Sequence, residues 1–354
     1  CDQPEDATCG FYFGTEPEVQ DCQACGMERC CDEGYARNHD PEVSQYIACL
    51  VPCAEGDAPC FYDCLAQHPD GYTKNSLFFN CLTMECADEC EPMLEWNPPC
   101  GLSQDESGDA ACDTCMASAC CDAYGEQSSS EEYYQFISCY YGCTDSACQR
   151  DCTLQHTRGY ALYQTTTACV GTNCYAECSP SYPWLNPCGN LVSTNPACNL
   201  CMQSACCEEF TNYGLSVDGM AYLLCVNNVS YTDEYAQCRV DWADGYALDA
   251  LVDVCQRDHC AAECNSTPMP CGRNFEDLPA CGTCVENTCC AAAHACMSDF
   301  DCTRLDLCRY INNCTLDDAA CLNACRADHP DGVALYDPYI ACLTGPCTTE
   351  CADW

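Results

Sequence analysis

Apolar positions along this chain recur at helical rather than strand spacing. In the stretch 41–53, Val43, Tyr46, Ile47 and Leu50 fall on one face of a helical period. Little of the sequence alternates apolar and polar with period two, the mark of a half-buried strand. Cysteine obeys the same spacing. Cys49 and Cys53, then Cys60 and Cys64, stand four residues apart, and residues at i and i+4 share a helix face. Two such helices joined by a tight turn make a hairpin that can be stapled twice across its interface.

The pattern repeats four times. Each block opens with Cys-Gly, at Cys9, Cys100, Cys188 and Cys271. A CxxC and a Cys-Cys pair follow, such as Cys22, Cys25, Cys30 and Cys31, or Cys281, Cys284, Cys289 and Cys290. Each block closes with CxxxxCxxxC: Cys81, Cys86, Cys90; Cys169, Cys174, Cys178; Cys255, Cys260, Cys264; Cys342, Cys347, Cys351. The closing helix is expected to begin after a glycine turn, at Gly71, Gly159, Gly245 and Gly332. Four helices per block follow. The fold class is all-α: four tandem disulfide-rich helical repeats forming an elongated array. The expected boundaries are a lipid-anchor segment 1–8 and repeats 9–93, 100–180, 188–266 and 271–354. Short linkers rich in proline and tryptophan separate them, with Trp96 and Trp184 expected to pack between neighbouring blocks or on their own block.

The centre of the block varies in an informative way. Block three lacks both inner hairpin cysteines, with Val229 and Glu234 at their places. Loss in pairs is what a disulfide requires, since a single leftover thiol is a liability. The inner bridges are therefore Cys53–Cys60, Cys143–Cys148 and Cys314–Cys321. The outer bridges are Cys49–Cys64, Cys139–Cys152, Cys225–Cys238 and Cys308–Cys325. Block four gains Cys296 and Cys302, again as a pair. The remaining eight cysteines of each block leave many pairings open. The blocks hold 12, 12, 10 and 14 of the 49 cysteines, so each can close internally and Cys1 is left over. A thioether to lipid at Cys1, as in a bacterial lipoprotein, is the expected use of that sulfur.

Cysteine at this density requires an oxidising compartment. Aspartate and glutamate number 55 against 11 lysine and arginine, and Lys74 is the only lysine. A net charge of −44 repels nucleic acid and anionic lipid, and suits divalent cations or a basic partner.

Several motifs invite sharper readings. The CxxC pairs resemble redox sites, but even cysteine counts leave no free thiolate and no βαβ pattern surrounds them. Metallothionein-like storage needs reduced thiolates and CxC runs, which are absent, and the chain carries 35 aromatic residues. His68, His156 and His329 share one repeat position that Trp242 fills in block three, so a helix-end or packing role is expected rather than metal ligation. His39, His259 and His294 have no ligand spacing. Glu131-Glu132 and Asp317-Asp318 do not follow a calcium-loop pattern. Asn228, Asn265 and Asn313 head glycosylation sequons. No nucleophile motif, zinc-protease motif or phosphate-cradling loop is present.

Block four resembles a cysteine-rich repeat abundant in exported proteins and lipoproteins of myxobacteria and their relatives. The resembling residues are Cys281-Gly-Thr-Cys284, Cys289-Cys290, Cys296, Cys302, Cys308, Cys314, Cys321, Cys325, the turn 329–332, and Cys342, Cys347 and Cys351. Blocks one to three match without the Cys296/Cys302 pair, and block three also without the inner pair. The resemblance implies a secreted or cell-surface setting and transfers no catalytic residue. The nested hairpin alone is similar to plant α-hairpinins, over too short a stretch to imply kinship.

These readings converge on an outer-membrane or cell-surface lipoprotein of a Gram-negative bacterium. It would act without catalysis, as an accessory or binding subunit of an envelope complex. It would be held to the membrane through Cys1 and to an integral envelope protein, with no nucleic acid. No cofactor is expected beyond Ca²⁺ on the acidic surface. An acidic metal-ion or small-ligand binder is the first alternative, and a structural or adhesive repeat protein the second.

Overall fold

The computed structural model describes residues 17–54, 57–90, 109–182, 185–188, 195–229, 232–266, 271, 279–315 and 318–351. Within them the protein is all-α, and no strand is present among the described residues. Cys1, Cys9, Cys100, Trp96 and Trp184 lie outside the described residues, and with them the expectations that rest on those positions.

Block one runs through α1 (Pro17–Arg29), α2 (Cys31–His39), α3 (Pro41–Leu50), α4 (Ala58–Gln67), α5 (Pro69–Glu85) and the single turn α6 (Ala87–Cys90). Block two repeats the order with α7 (Ala110–Ala119), α8 (Cys121–Ser128), α9 (Glu131–Gly142), α10 (Ser146–Gln155), α11 (Thr157–Asn173) and α12 (Tyr175–Cys178). Block three comprises α13 (Pro196–Ala205), α14 (Cys207–Gly214), α15 (Val217–Asn228), α16 (Thr232–Asp241) and α17 (Ala243–His259). Block four holds α18 (Pro279–Cys284), a π-helical turn Val285–Cys289, α19 (Cys290–Met297), α20 (Phe300–Ile311), α21 (Ala319–Asp328) and α22 (Val333–Thr344).

The expectation of four helices per block is corrected to five principal ones. The Cys-Cys pair straddles a helix break, because Cys30, Cys120 and Cys206 leave helical ψ between the first helix and the second. The first cysteine of the pair then bridges to the closing helix, and the second packs beside the same core where blocks one and four show it. Side-chain caps start the next helices. Asp40 accepts a hydrogen bond from Glu42 N, Ser130 from Tyr133 N, Ser216 from Gly219 N and Asp299 from Cys302 N. The second hairpin helix is capped likewise by Asp57, Asp145 and Asp318. The stretch 41–53 is helical only to Leu50, with Cys53 beyond the helix end.

Three bridges clamp the first helix of every block to the closing segment in antiparallel order. In block one they are Cys22–Cys90, Cys25–Cys86 and Cys30–Cys81. The same ladder recurs as Cys112–Cys178, Cys115–Cys174 and Cys120–Cys169. It continues as Cys198–Cys264, Cys201–Cys260 and Cys206–Cys255. In block four it is Cys281–Cys351, Cys284–Cys347 and Cys289–Cys342. The Cys-Gly cysteine closes onto the second residue of the Cys-Cys pair, as Cys188–Cys207 and Cys271–Cys290. Cys31 and Cys121 hold that same place and are also bridged, to partners outside the described residues. The hairpins carry Cys49–Cys64, Cys53–Cys60, Cys139–Cys152, Cys143–Cys148, Cys225–Cys238, Cys308–Cys325 and Cys314–Cys321. These are the pairs that the joint losses and gains in the sequence indicate, and Cys296–Cys302 joins them. Every cysteine among the described residues is in a disulfide.

Sulfur therefore makes much of the core. In block one Cys22, Cys25, Cys30, Cys86 and Cys90 pack with Phe78 and Leu82. In block four Val285, Leu305, Tyr336, Tyr339 and Leu343 surround a comparable set. The chain gathers into two compact units, residues 1–187 and 188–354, each holding two sequence blocks. In the first unit α9 packs on α4 and α5. Leu65, Phe136 and Ile137 are buried there among tyrosines, and Tyr62 stacks on Tyr141 with ring centroids 4.5 Å apart. In the second unit α17 packs on α19 and α20. An ion pair from Arg304 to Asp244 at 2.6 Å and a polar contact from His294 to Asp258 at 2.5 Å hold that interface.

The repeat glycine needs a second correction. Gly71, Gly159 and Gly245 lie inside the first turn of α5, α11 and α17, and not in a turn before them. Close approach explains them. A Cβ on Gly159 would sit 2.2 Å from the carbonyl oxygen of Glu132, so α11 meets the start of α9 backbone to backbone. Gly332 keeps the expected place, in the turn before α22.

Gly159→Ala is therefore expected to destabilise the first unit by about 1–3 kcal/mol, the usual cost of overpacking. Gly125→Ala is the control, because its Cβ would meet only the flexible end of Met84 and α8 would gain helix propensity. Denaturant unfolding with bridges intact, followed by near-ultraviolet circular dichroism, should separate the two. Equal loss in both variants would refute the close-approach account.

Candidate functional site

The residues that the sequence singles out go mostly to structural posts. His68, His156, Trp242 and His329 each end the second hairpin helix, and the first three also begin the closing helix. Their backbone N–H groups close the preceding helix, donating to Cys64, Cys152, Cys238 and Cys325 carbonyls. His68 Nδ1 lies 3.3 Å from a Glu42 carboxylate oxygen. Burial lowers the pKa of His156, and of His329, where Arg304 adds to the effect. His39 stacks on Tyr35 at 3.9 Å, and His294 pairs with Asp258. None of these histidines converges with others on a metal. Glu131 accepts from Gln135, and Asp318 caps α21; Asp317 lies outside the described residues. Asn228, Asn265 and Asn313 are exposed, the last two with φ of 53° and 51°.

Two groups of sulfurs lie close enough together to hold a metal ion: Cys53, Cys60 and Cys64, and Cys143, Cys148 and Cys152. All six are in disulfides, and a disulfide sulfur is not the thiolate that soft metals require. Both members of each CxxC bridge to the closing segment and not to each other, which is not how a redox CxxC works. An open groove between α1 and α6 is lined by Asp21, Glu28, Asp88, Glu89, Ala24, Cys25 and Arg29. Arg29 Nη1 donates to the Glu85 carbonyl at 2.5 Å across it.

The densest chemistry lies in the second unit, where α14 to α17 meet α20. The guanidinium of Arg239 on α16 sits 5.0 Å from the ring centroid of Tyr246 and 6.0 Å from that of Tyr310. Its Nε is buried without a hydrogen-bond partner. Burial pulls its pKa down, but Tyr246, Tyr222 and Tyr310 outweigh that and raise it, so Arg239 is a fixed cation. Asp249, half-buried on α17, has its pKa raised to about 6, by burial first and then by Asp253. The buried hydroxyl of Tyr213 lies close to that carboxyl, yet has no hydrogen-bond partner of good geometry. Burial and the Asp249 charge push Tyr213 far above the usual phenol range. The cluster can hold or release one proton near pH 6. It offers no nucleophile.

Sequence reasoning passed over Arg239 and Asp249. The available signal was the repeat position after the outer hairpin cysteine, which is Leu65 in block one and Arg239 in block three. No protein-family model matches the chain, and no curated protein or solved structure matches it either. The resemblance drawn from cysteine spacing thus stands on that spacing alone.

The sign of the Asp249 effect follows from linkage. A carboxyl with a raised folded pKa binds its proton more tightly when folded. Its stabilising contribution is full below the unfolded value of roughly 3.9 and is lost as pH rises through about 6. Asp249→Asn should remove that loss and stabilise the second unit at pH 7.5 by on the order of 1–2 kcal/mol. Unfolding measured at pH 4.5 and 7.5 checks it. A variant that keeps the full pH dependence between those values would count against the assignment.

Proposed function

We propose that this is an exported, non-catalytic binding protein of a bacterial surface, an accessory subunit docked on an integral envelope protein. Export follows from the disulfides, which require an oxidising compartment. No helix among the described residues is long and apolar enough to cross a membrane. The observation that carries the binding reading is the pairing of a fully bridged scaffold with a charge of −44. A covalently closed fold commits its described thiols to structure and leaves a strongly acidic surface. Such a surface steers and selects a basic partner. Cys1, the cysteine left over by the even-numbered blocks, is the sulfur we assign to attachment through lipid.

A second reading has one observation in its favour. Asp21, Glu28, Asp88 and Glu89 share the groove between α1 and α6. Divalent-cation binding there would make the protein an acidic ion binder. The same surface could serve a structural or adhesive role if its partners were other cells.

The test is cross-linking of the native protein in its own membranes. Amine-reactive reagents are unsuited, because Lys74 is the only lysine and is paired with Asp40. Carboxylate-reactive dihydrazides should join it to a basic envelope protein, and the yield should fall sharply with added salt. Intact mass should carry a lipid increment on Cys1. Cross-links only between copies of this chain, or an unmodified Cys1 beside tight stoichiometric Ca²⁺ uptake by calorimetry, would overturn the accessory-subunit reading.

A further inference from the structure

The hairpins of blocks one and two place two disulfides in contact. In block two Cys143, bonded to Cys148, has its Sγ 3.5 Å from Sγ of Cys152, which is bonded to Cys139. In block one Sγ of Cys53, bonded to Cys60, lies 4.0 Å from Sγ of Cys64, bonded to Cys49. Access is graded. Cys148 is exposed, Cys143 is half-buried and Cys152 is 2% exposed. A thiolate set free on Cys143 would already lie against the next bridge.

The other two blocks lack this arrangement. Block three has Val229 and Glu234 at the inner positions, and α15 and α16 still form their hairpin with Cys225–Cys238 alone. The inner bridge is therefore not a condition of the fold. In block four five residues separate Cys308 from Cys314, so the two do not share a helix face. There Asn312 Nδ2 lies against the outer bridge, 3.4 Å from Cys308 Sγ. Block four also brings two bridges together, with Cys289 Sγ 3.6 Å from Cys347 Sγ, but that contact lies in its ladder, where both sulfurs are buried and an entering thiol has no access.

We propose that the hairpin ends of blocks one and two are thiol-exchange sites that capture a cationic low-molecular-weight thiol and pass the free thiol inward. The incoming thiol gives its proton to water, and its thiolate attacks the exposed Cys148 Sγ. An S–S bond forms between them, and the electron pair of the Cys143–Cys148 bond leaves on Cys143. That thiolate attacks Cys152 Sγ, forming Cys143–Cys152 and expelling Cys139, which takes up a proton. One thiol enters and one thiol is created, so no oxidant or reductant is consumed. Block one follows the same order through Cys60, Cys53, Cys64 and Cys49. Carboxylates select the charge of the entrant. Asp145 Oδ1 lies 2.9 Å from Cys148 N, and Asp57 Oδ1 lies 3.3 Å from Cys60 N. An aminothiol is drawn to this turn and a carboxylated thiol is repelled.

The experiment incubates the full oxidised chain with cysteamine at pH 8, quenches with acid, alkylates free thiols and maps bridges after peptic digestion. The expected map has cysteamine on Cys148 and Cys60, new bridges Cys143–Cys152 and Cys53–Cys64, and alkyl groups on Cys139 and Cys49. The hairpins of blocks three and four stay unlabelled. At low ionic strength and equal thiolate concentration, 3-mercaptopropionate should react roughly tenfold more slowly than cysteamine. An adduct on Cys148 with the alkyl group on Cys143 and Cys139–Cys152 intact would overturn inward transfer. Adducts on Cys143 itself, or equal labelling at Cys308 and Cys325, would overturn the site, and equal rates for the two thiols would overturn its charge preference. Cys148→Ser gives a second reading without added thiol: alkylation should divide between Cys143 and Cys139, and confinement to Cys143 would count against transfer. The thiol experiment on the unaltered chain does not depend on that variant folding.

Discussion

Everything in this protein hangs on a covalent ladder between the first helix of each block and its last. Three bridges run antiparallel between segments some sixty residues apart in sequence, as in Cys115–Cys174 with a separation of 59. A disulfide closing so long a loop restricts the unfolded chain most, with typical stabilisation of roughly 2–4 kcal/mol per bridge that does not simply add. Blocks of this size have too little interior to be secure on apolar burial alone. The ladder supplies both the constraint and part of the interior, since the cystines themselves are the buried core beside Phe78 and Leu82. Once the outer helices are fixed, the hairpin between them need only lie flat. Glycine at positions 71, 159 and 245 lets it do so, by bringing helix backbones into direct contact.

One repeat position shows how the shared frame diverges. The residue after the outer hairpin cysteine is Leu65 in block one and Arg239 in block three. Leu65 is buried in the contact with α9, among Phe136, Ile137 and a ring of tyrosines. Arg239 takes the corresponding step toward block four, over Tyr246 and Tyr310. The first unit is thus joined by apolar burial and stacked phenols, and the second by a cation on aromatic faces flanked by the Arg304–Asp244 ion pair. The first kind of contact rests on phenols whose burial pushes their pKa upward. The second carries Asp249 close to the cation, with its pKa raised to about 6 by burial and by Asp253.

The sequence disclosed the hairpins but not the ladder, and the reason is evolutionary bookkeeping rather than geometry. Block three lost Cys positions 229 and 234 together, which ties those two places to one bond. No block has lost a rung of the ladder, so nothing in the sequence says which CxxC residue meets which closing cysteine. The helix break at the Cys-Cys pair was equally hidden, because no proline or glycine marks Cys30 or Cys120. The turn glycines were visible yet misread in three blocks. Glycine signals either a special φ or a close approach, and only coordinates separate the two. Arg239 and Asp249 were illegible for another reason: they come together from α16 and α17 with Tyr213 of α14 and Tyr310 of α20, a tertiary placement that no local pattern records.

The acidic composition also changes meaning once the helices are placed. Asp40, Asp57, Asp109, Asp145, Asp299 and Asp318 each accept a backbone hydrogen bond at a helix start. Those carboxylates satisfy orphan N–H groups and favour the positive end of the helix. Part of the charge is therefore a demand of folding many short helices before it is an address for a partner. What remains is the set that caps nothing, such as Asp21, Glu28, Asp88 and Glu89 around the α1–α6 groove. Self-repulsion among so many carboxylates opposes compaction, and a fold held by covalent rungs tolerates that opposition where one held by burial alone would not. The stapled core and the charged surface are two sides of one solution, in which recognition by charge is permitted by cohesion through sulfur.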